Sequence, residues 1–158
     1  MTTCALRRRL EELEELDVRS VGALLYTADG RYLMQLRDDL PHVRFGGHWG
    51  VFGGRIEGRE SPIRAVEREM YEELRFRPRK SSLFTRVTFP HHDERVGMHR
   101  RYFFACAIDD QQISGLTLLE GQAMRLFRTS ELEVLRNIVP CDRIAIDRHS
   151  ARSRVFEL

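Results

Sequence analysis

Lysine is almost missing from this chain. Lys80 is the only one among 26 basic residues, and the rest are arginine. Acidic residues number 24, so the formal net charge is only +2. That balance argues against a strongly basic partner for a nucleic-acid polymer. Arginine's planar fork suits phosphate groups, but a GC-rich codon bias produces the same skew, so the arginines carry little weight alone. Cysteine is scarce as well. Cys4, Cys106 and Cys141 are odd in number, widely spaced and form no CxxC pair. Neither a disulfide framework nor a zinc knuckle follows from them. No run of about 18 apolar residues exists to span a membrane. Near the N-terminus, Arg7, Arg8, Arg9, Glu11 and Glu12 stand where a signal peptide needs an apolar stretch. These absences lead to the expectation of a reduced, cytoplasmic, soluble domain with no membrane partner.

What is present suffices for one compact domain: 158 residues, 42% of them hydrophobic. Leu6, Leu10, Leu13 and Leu16 recur at helical spacing among charges. They predict a short amphipathic helix that packs on the domain or on a second copy in a homodimer. The apolar run Val21 to Tyr26, the turn Asp29-Gly30 and the run Tyr32 to Leu36 read as a hairpin. Residues 37–50 read as a glycine-bearing loop, followed by a short strand at Val51-Phe52 that ends at Gly53-Gly54. Ser61-Pro62 predicts a helix start, with Ser61 capping free N–H groups and Pro62 at the first helical position. That helix runs to about Leu74 and stops before Pro78. Leu83 to Phe89 and Tyr102 to Ile108 read as strands joined by a polar loop holding His91, His92, Asp93 and Glu94. A third strand is predicted at Met124 to Phe127, a helix opening at Thr129-Ser130, and a final helix or tail beyond Pro140. Alternating β and α signals in one short chain give a mixed α/β fold of the α+β type.

The chemistry concentrates in residues 53–76, GGRIEGRESPIRAVEREMYEELRF. At about 100° per residue, Ile63, Val66, Met70 and Leu74 form one apolar stripe. Glu69 and Glu73 project to its side, with Glu72 further round. Steps of three and four bring these carboxylates within reach of one another, which costs a bare helix a few tenths of a kcal/mol per pair. A solvated acidic face is the ordinary explanation of such a helix. A divalent cation is the alternative, because hard cations such as Mg²⁺ take oxygen ligands from a few carboxylates plus substrate phosphates.

The segment as a whole resembles the Nudix box, G-x5-E-x7-R-E-U-x-E-E-x-G-U, where U is bulky and apolar. Gly54, Glu60, Arg68, Glu69, Glu72 and Glu73 fill six of its seven fixed letters, and Met70 and Phe76 its apolar slots. The approach from Trp49 to Gly54 is similar to the family's aromatic, short strand and double glycine. Two departures stand out. Arg75 replaces the final glycine, at the helix exit where glycine helps the chain turn, and Phe52 stands where many relatives have proline. Every acidic position is filled, which favours an active enzyme over a silent Nudix-fold module that only binds or senses a nucleotide.

The resemblance implies a single Nudix domain over residues 1–158, with 1–18 as a helical extension. Its mixed sheet would lie between helices and carry a loop-helix-loop catalytic motif. It further implies Mg²⁺ or Mn²⁺ held by Glu69, Glu72 and Glu73, with Glu60 supporting the metal shell and the Gly53 carbonyl reaching the ion. Arg68 would orient Glu69 by charge-assisted hydrogen bonds. Nudix enzymes often draw one more acid from a later loop. Glu120, just before the strand at Met124, matches that placement, with Glu94 and Asp93 as competitors. Glu69 or Glu120 would accept the proton of the attacking water. Arg37, Arg44 and His48 are candidates to meet phosphate or ribose, and Trp49 either stacks on a base or packs its strand. His91 and His92 beside Asp93 lack metal-ligand spacing and read as a turn. The implied reaction is hydrolysis of a nucleoside diphosphate linked to X, releasing a monophosphate product. Nucleoside triphosphates (oxidised ones included), nucleotide sugars and dinucleoside polyphosphates all remain open. The modest length favours a small nucleotide.

Overall fold

In the computed structural model, residues 18–91 and 97–155 are described. The expected helix at Leu6 to Leu16, and His92, Asp93 and Glu94, lie outside them. Strand β1, Val18–Tyr26, is buried over most of its length because both of its faces are covered. Val21, Ala23 and Leu25 point into one apolar cluster together with Leu33, Phe52, Val66, Met70, Leu74 and Phe104. Leu24 points into the other, with Met34, Val51, Phe103, Phe127, Val139 and Ile146. This period-two division places helices on both sides of the sheet.

The connection from β1 to β2 (Tyr32–Leu36) turns through Gly30, whose φ is 79°. The hairpin predicted there forms, with Tyr26 opposite Tyr32 and Leu25 opposite Leu33. Beyond these pairs the strands part. The strand β3 is Trp49–Gly50 and pairs with Leu36 and Gln35. It thus begins two residues before the expected Val51-Phe52. Phe52 and Arg55 then bridge to Ala23 and Ser20 of β1. Residues 49–55 therefore fill the gap between β2 and β1 and bring Gly53-Gly54 to the middle of the sheet.

Strands β4, Ser82–Pro90, and β5, Met98–Ala107, are antiparallel to each other. β5 runs parallel to β1 from Val18 opposite His99 to Tyr26 opposite Ala107. β5 starts well ahead of the expected Tyr102, since the polar run His99, Arg100 and Arg101 hid the pattern. Strand β6, Ala123–Phe127, takes the other edge of β2. The sheet order is β3-β2-β1-β5-β4, with β6 beside β2.

Helix α1, Pro62–Leu74, buries Ala65, Val66, Met70, Leu74 and also Glu73. Ser61 takes the extended backbone of an N-cap, but its side chain makes no capping bond, contrary to expectation. At the exit Arg75 adopts the left-handed conformation, φ 54° and ψ 31°. The N–H groups of Arg75 and Phe76 close back onto the carbonyls of Tyr71 and Met70, so the turn survives without glycine. Helix α2, Asp110–Ser114, was not anticipated, although Asp109 and Gln112 form a capping box. Helices α3, Thr129–Val134, and α4, Pro140–Val155, complete the domain. No helix among the described residues is long and apolar enough to cross a membrane.

A side chain in the left-handed region costs about 1 kcal/mol. Arg75→Gly should therefore stabilise the protein by about 0.5 kcal/mol, measured by urea unfolding. Loss of the Arg75 contact 5.0 Å from the Tyr71 ring offsets part of the gain. A variant less stable than the parent would show that the turn is not strained.

Candidate active site

Arg68 joins the two arms of the loop-helix-loop. Its guanidinium donates to Glu60 Oε1 at 2.7 Å, to Glu69 Oε1 at 2.8 Å and to Glu72 Oε2 at 2.9 Å. It also donates to the carbonyl of Arg55 at 2.9 Å. Hydrogen bonding to Glu60 foremost, opposed by partial burial, raises its pKa. Glu60 also accepts the N–H of Glu57, and Arg68 first and then that N–H hold its carboxyl below the usual range. Glu60 thus acts on the loop through Arg68.

Glu73 is 4% exposed. Its Oε2 accepts the N–H of Gly53 at 2.7 Å and its Oε1 accepts Gln35 Nε2 at 3.0 Å. Burial pushes the carboxyl up to about 7, against those two hydrogen bonds, with the charges of Glu69 and Glu120 adding to the rise. Gly53 has φ 134°, and a Cβ there would stand 2.4 Å from the carbonyl oxygen of Val21. No other residue fits this approach. The carbonyls of Phe52 and Gly54 on either side accept the N–H groups of Ala23 and Val21, which leaves the Gly53 carbonyl outside that ladder.

Glu69 is half-buried and lies against Gly54. Its carboxyl is raised, by burial first, with Arg68 opposing and Glu72 and Glu120 contributing repulsion. Glu120 itself is exposed. The loop before it is sutured to the end of α1: Thr117 N–H donates to the carbonyl of Leu74 and Leu119 N–H to that of Glu73. On its far side Gln122 N–H donates to the carbonyl of Leu36. Four carboxylates from two separate segments therefore act on one small region.

These donors are hard oxygens whose mutual repulsion a divalent cation would relieve, so their chemistry suits Mg²⁺ or Mn²⁺. As placed, no three acidic, imidazole or thiol groups among the described residues are gathered closely enough to hold an ion. The reason is visible: Arg68 draws Glu69 and Glu72 to itself, while Gly53 and Gln35 hold Glu73.

The other candidates lie around the loop before β3. Arg37 donates from Nε to the carbonyl of Arg44 at 3.0 Å. The Arg44 guanidinium stacks over Phe45, 4.9 Å from its centroid. His48 bonds through Nδ1 to the carbonyl of Gly46 and meets Phe45 edge-on. The ring of Trp49 packs edge-on against Phe127 at 4.8 Å, the second of the two roles considered for it. Gln35 escaped the sequence reading. Its signal was a lone amide in the apolar run Tyr32 to Leu36.

A family model described as the NUDIX domain matches residues 16–154, and the chain belongs to that family. With each acidic position of the box in place, it is an enzyme of the pyrophosphohydrolase type acting on nucleoside diphosphate derivatives. Many solved structures share the fold. A MutT protein from Methanosarcina mazei Go1 superposes with a TM-score of 0.71 at 18% identity, covering 87% of this chain and 95% of that one. The dihydroneopterin triphosphate pyrophosphohydrolase of E. coli gives 0.66 at 21%, covering 85% and 95%. The NUDIX domain of Shewanella oneidensis NrtR, complexed with ADP ribose, gives 0.64 at 21%, covering 88% of each. No curated protein matches the sequence significantly.

The raised carboxyl of Glu73 has a thermodynamic consequence. Its ordinary value is 4.5, so between about 4.5 and 7 the folded, metal-free protein keeps a proton that the unfolded chain has released. Stability therefore falls as pH rises through this window. Glu73→Gln should remove that loss, leaving the metal-free variant more stable than the parent at pH 8 but not at pH 5. Parallel melting curves at the two pH values would check this; an equal difference at both would contradict it.

Proposed function

We propose that this enzyme is a divalent-metal-dependent pyrophosphohydrolase of small nucleotides, with nucleoside triphosphates as the preferred class. One observation carries the reading. Glu69 lies against Gly54, Glu73 accepts the Gly53 N–H, and the charges of Glu72 and Glu120 bear on this pair, an arrangement that serves a cation better than it serves the fold. Mg²⁺ or Mn²⁺ held there would neutralise phosphate oxygens and lower the pKa of a bound water. Glu72, Glu73 and Glu120 are the proposed ligands, with the Gly53 carbonyl beside them. Glu69 is the proposed proton acceptor: it lies against the glycine pair at Gly54, burial raises its carboxyl, and Arg68 fixes its orientation. Glu60 keeps Arg68 in place. Arg37 and Arg44 meet the anionic part of the substrate, while His48 and Trp49 shape the loop that presents them. The proposed setting is cytoplasmic.

A panel of nucleoside triphosphates, ADP-ribose and other nucleotide sugars, and dinucleoside polyphosphates would decide the substrate, scored by monophosphate, pyrophosphate and phosphate release. Hydrolysis should vanish in EDTA and return with Mg²⁺ or Mn²⁺; full turnover in excess EDTA would sink the mechanism. A protein that binds ADP-ribose but turns over nothing in the panel would be a sensing module instead.

The role of Glu120 separates from that of the helix. Glu120→Gln should lower kcat by at least about tenfold with a smaller effect on KM, because the loss falls on the transition state. Glu94→Gln should behave like the parent. The opposite result would move the extra acid to the loop between β4 and β5.

A further inference from the structure

A cleft of about 590 Å³ opens where β1 and β5 finish, away from the carboxylate cluster. No residue of the loop-helix-loop motif lines it. Gly54 meets β1 at Val21, whereas the cleft is lined by Tyr26, the last residue of that strand. At roughly 3.3 Å per residue the two places lie about 16 Å apart along the sheet.

The floor of the cleft comes from three neighbouring strands. Tyr26 of β1 stands opposite Ala107 of β5, and Ala105 of β5 opposite Ser82 of β4. Residues 103, 105 and 107 share one face of β5. Phe103 fills the core there, but the two alanines after it leave the end of the sheet open. Tyr26 bounds this space with a ring held 4.6 Å from that of His149. The hydroxyls of Tyr26 and Ser82 have no hydrogen-bond partner among the described residues. The result is a flat apolar floor edged by two hydroxyls.

The mouth is basic. Arg79 and Lys80 line it from the segment between α1 and β4, and both are exposed. Neither forms an ion pair with another described residue. Among the described residues, Asp109 is the one carboxylate in the lining. Its side chain is already engaged, accepting the N–H of Gln112 at 2.7 Å. Two cations against one carboxylate leave the cleft with an excess of positive charge. Lys80 is also the only lysine in a chain that otherwise uses arginine. Its ammonium is a compact charge with three rotatable donors.

We propose that this cleft is a second ligand site, taking a phosphate monoester of mononucleotide size with a flat apolar body. Its volume falls within the range of small-molecule sites, about 300–1,000 Å³. The phosphate pairs with Arg79 and Lys80 at the mouth. The body lies over Ala105 and Ala107 against Tyr26, and the hydroxyls of Tyr26 and Ser82 take its polar edge. No divalent cation is needed, because the charges at the mouth belong to the protein. The site binds and does not cut: Asp109, its one acid, is engaged in the α2 cap. The inference does not rest on the hydrolase reading.

Because Lys80 is the only lysine, its acetylation by an N-hydroxysuccinimide ester, read by peptide mass spectrometry, reports on this cleft alone. The probes, in EDTA, are AMP, ribose 5-phosphate, inorganic phosphate and adenosine. Saturating AMP should slow Lys80 acetylation by about tenfold through mass action, while the N-terminal amine reacts at its own rate. Ribose 5-phosphate and phosphate should protect at higher concentrations only, and adenosine hardly at all. Arg79→Met should raise the AMP concentration needed by about tenfold. Ala107→Leu, which fills the floor, should abolish protection. Both positions are exposed, so the variants should fold. Arg136→Met, outside the lining, and Glu73→Gln, in the carboxylate cluster, should both be protected as the parent is. Loss of protection in Glu73→Gln would place AMP at the carboxylate helix and overturn the proposal. So would protection by adenosine or inorganic phosphate equal to that by AMP, parental protection in Ala107→Leu, or no protection by any probe.

Discussion

The carboxylate of Glu73 ties three parts of the molecule together. One oxygen takes the Gly53 N–H from the loop and the other takes Gln35 from the sheet, while the residue itself belongs to the helix. Its own carbonyl accepts Leu119 N–H, which positions the loop carrying Glu120. An acid this deeply buried is costly unless its lone pairs are filled, and here both oxygens have partners. Loop, helix and later acidic loop consequently meet at one point. The shape of the site follows from satisfying this group.

Arg68 solves the complementary problem. Glu60, Glu69 and Glu72 lie on two arms of the motif and would repel one another if left alone. A single guanidinium with five donors reaches all three. A lysine could not do the same, because its ammonium lacks the planar fork. The price is that Glu69 and Glu72 face the arginine in the metal-free protein. A cation would therefore compete with Arg68 for them, and the site is set for exchange of partners more than for a rigid cage. The same economy marks the opposite face, where one buried carboxylate, Asp142, organises Arg101 and the backbone after β3.

Much of this was legible in the sequence. The motif from Gly54 to Phe76 declared the carboxylate helix, because a helix of this kind encodes its geometry in spacings of three and four residues. Pro62 marked the helix start, and the DG turn marked the hairpin. The family resemblance made Glu120, just before a strand, a candidate for the extra acid, and its charge acts on Glu69 and Glu73. The loss of the box glycine was visible too, but its outcome was not. Whether Arg75 would twist the exit or adopt the left-handed conformation depends on the bonds its turn makes with Met70 and Tyr71.

What the chain by itself determined is the local chemistry: an acidic helix with an apolar stripe, glycines before it and an arginine one position ahead of Glu69. Those features repeat over a few residues, and short-range geometry carries them. Only the tertiary structure decided that Gln35 would reach Glu73, that Trp49 would pack on Phe127, and that Asp142 would meet Arg101 forty-one residues earlier in the chain. Such pairings are set by strand order and by which face each residue takes. A one-residue change in register would send these side chains to the other side of the sheet. The parallel pairing of β1 with β5 is what places His99 and Arg101 beside Ser20, and no local pattern in residues 98–107 announces it.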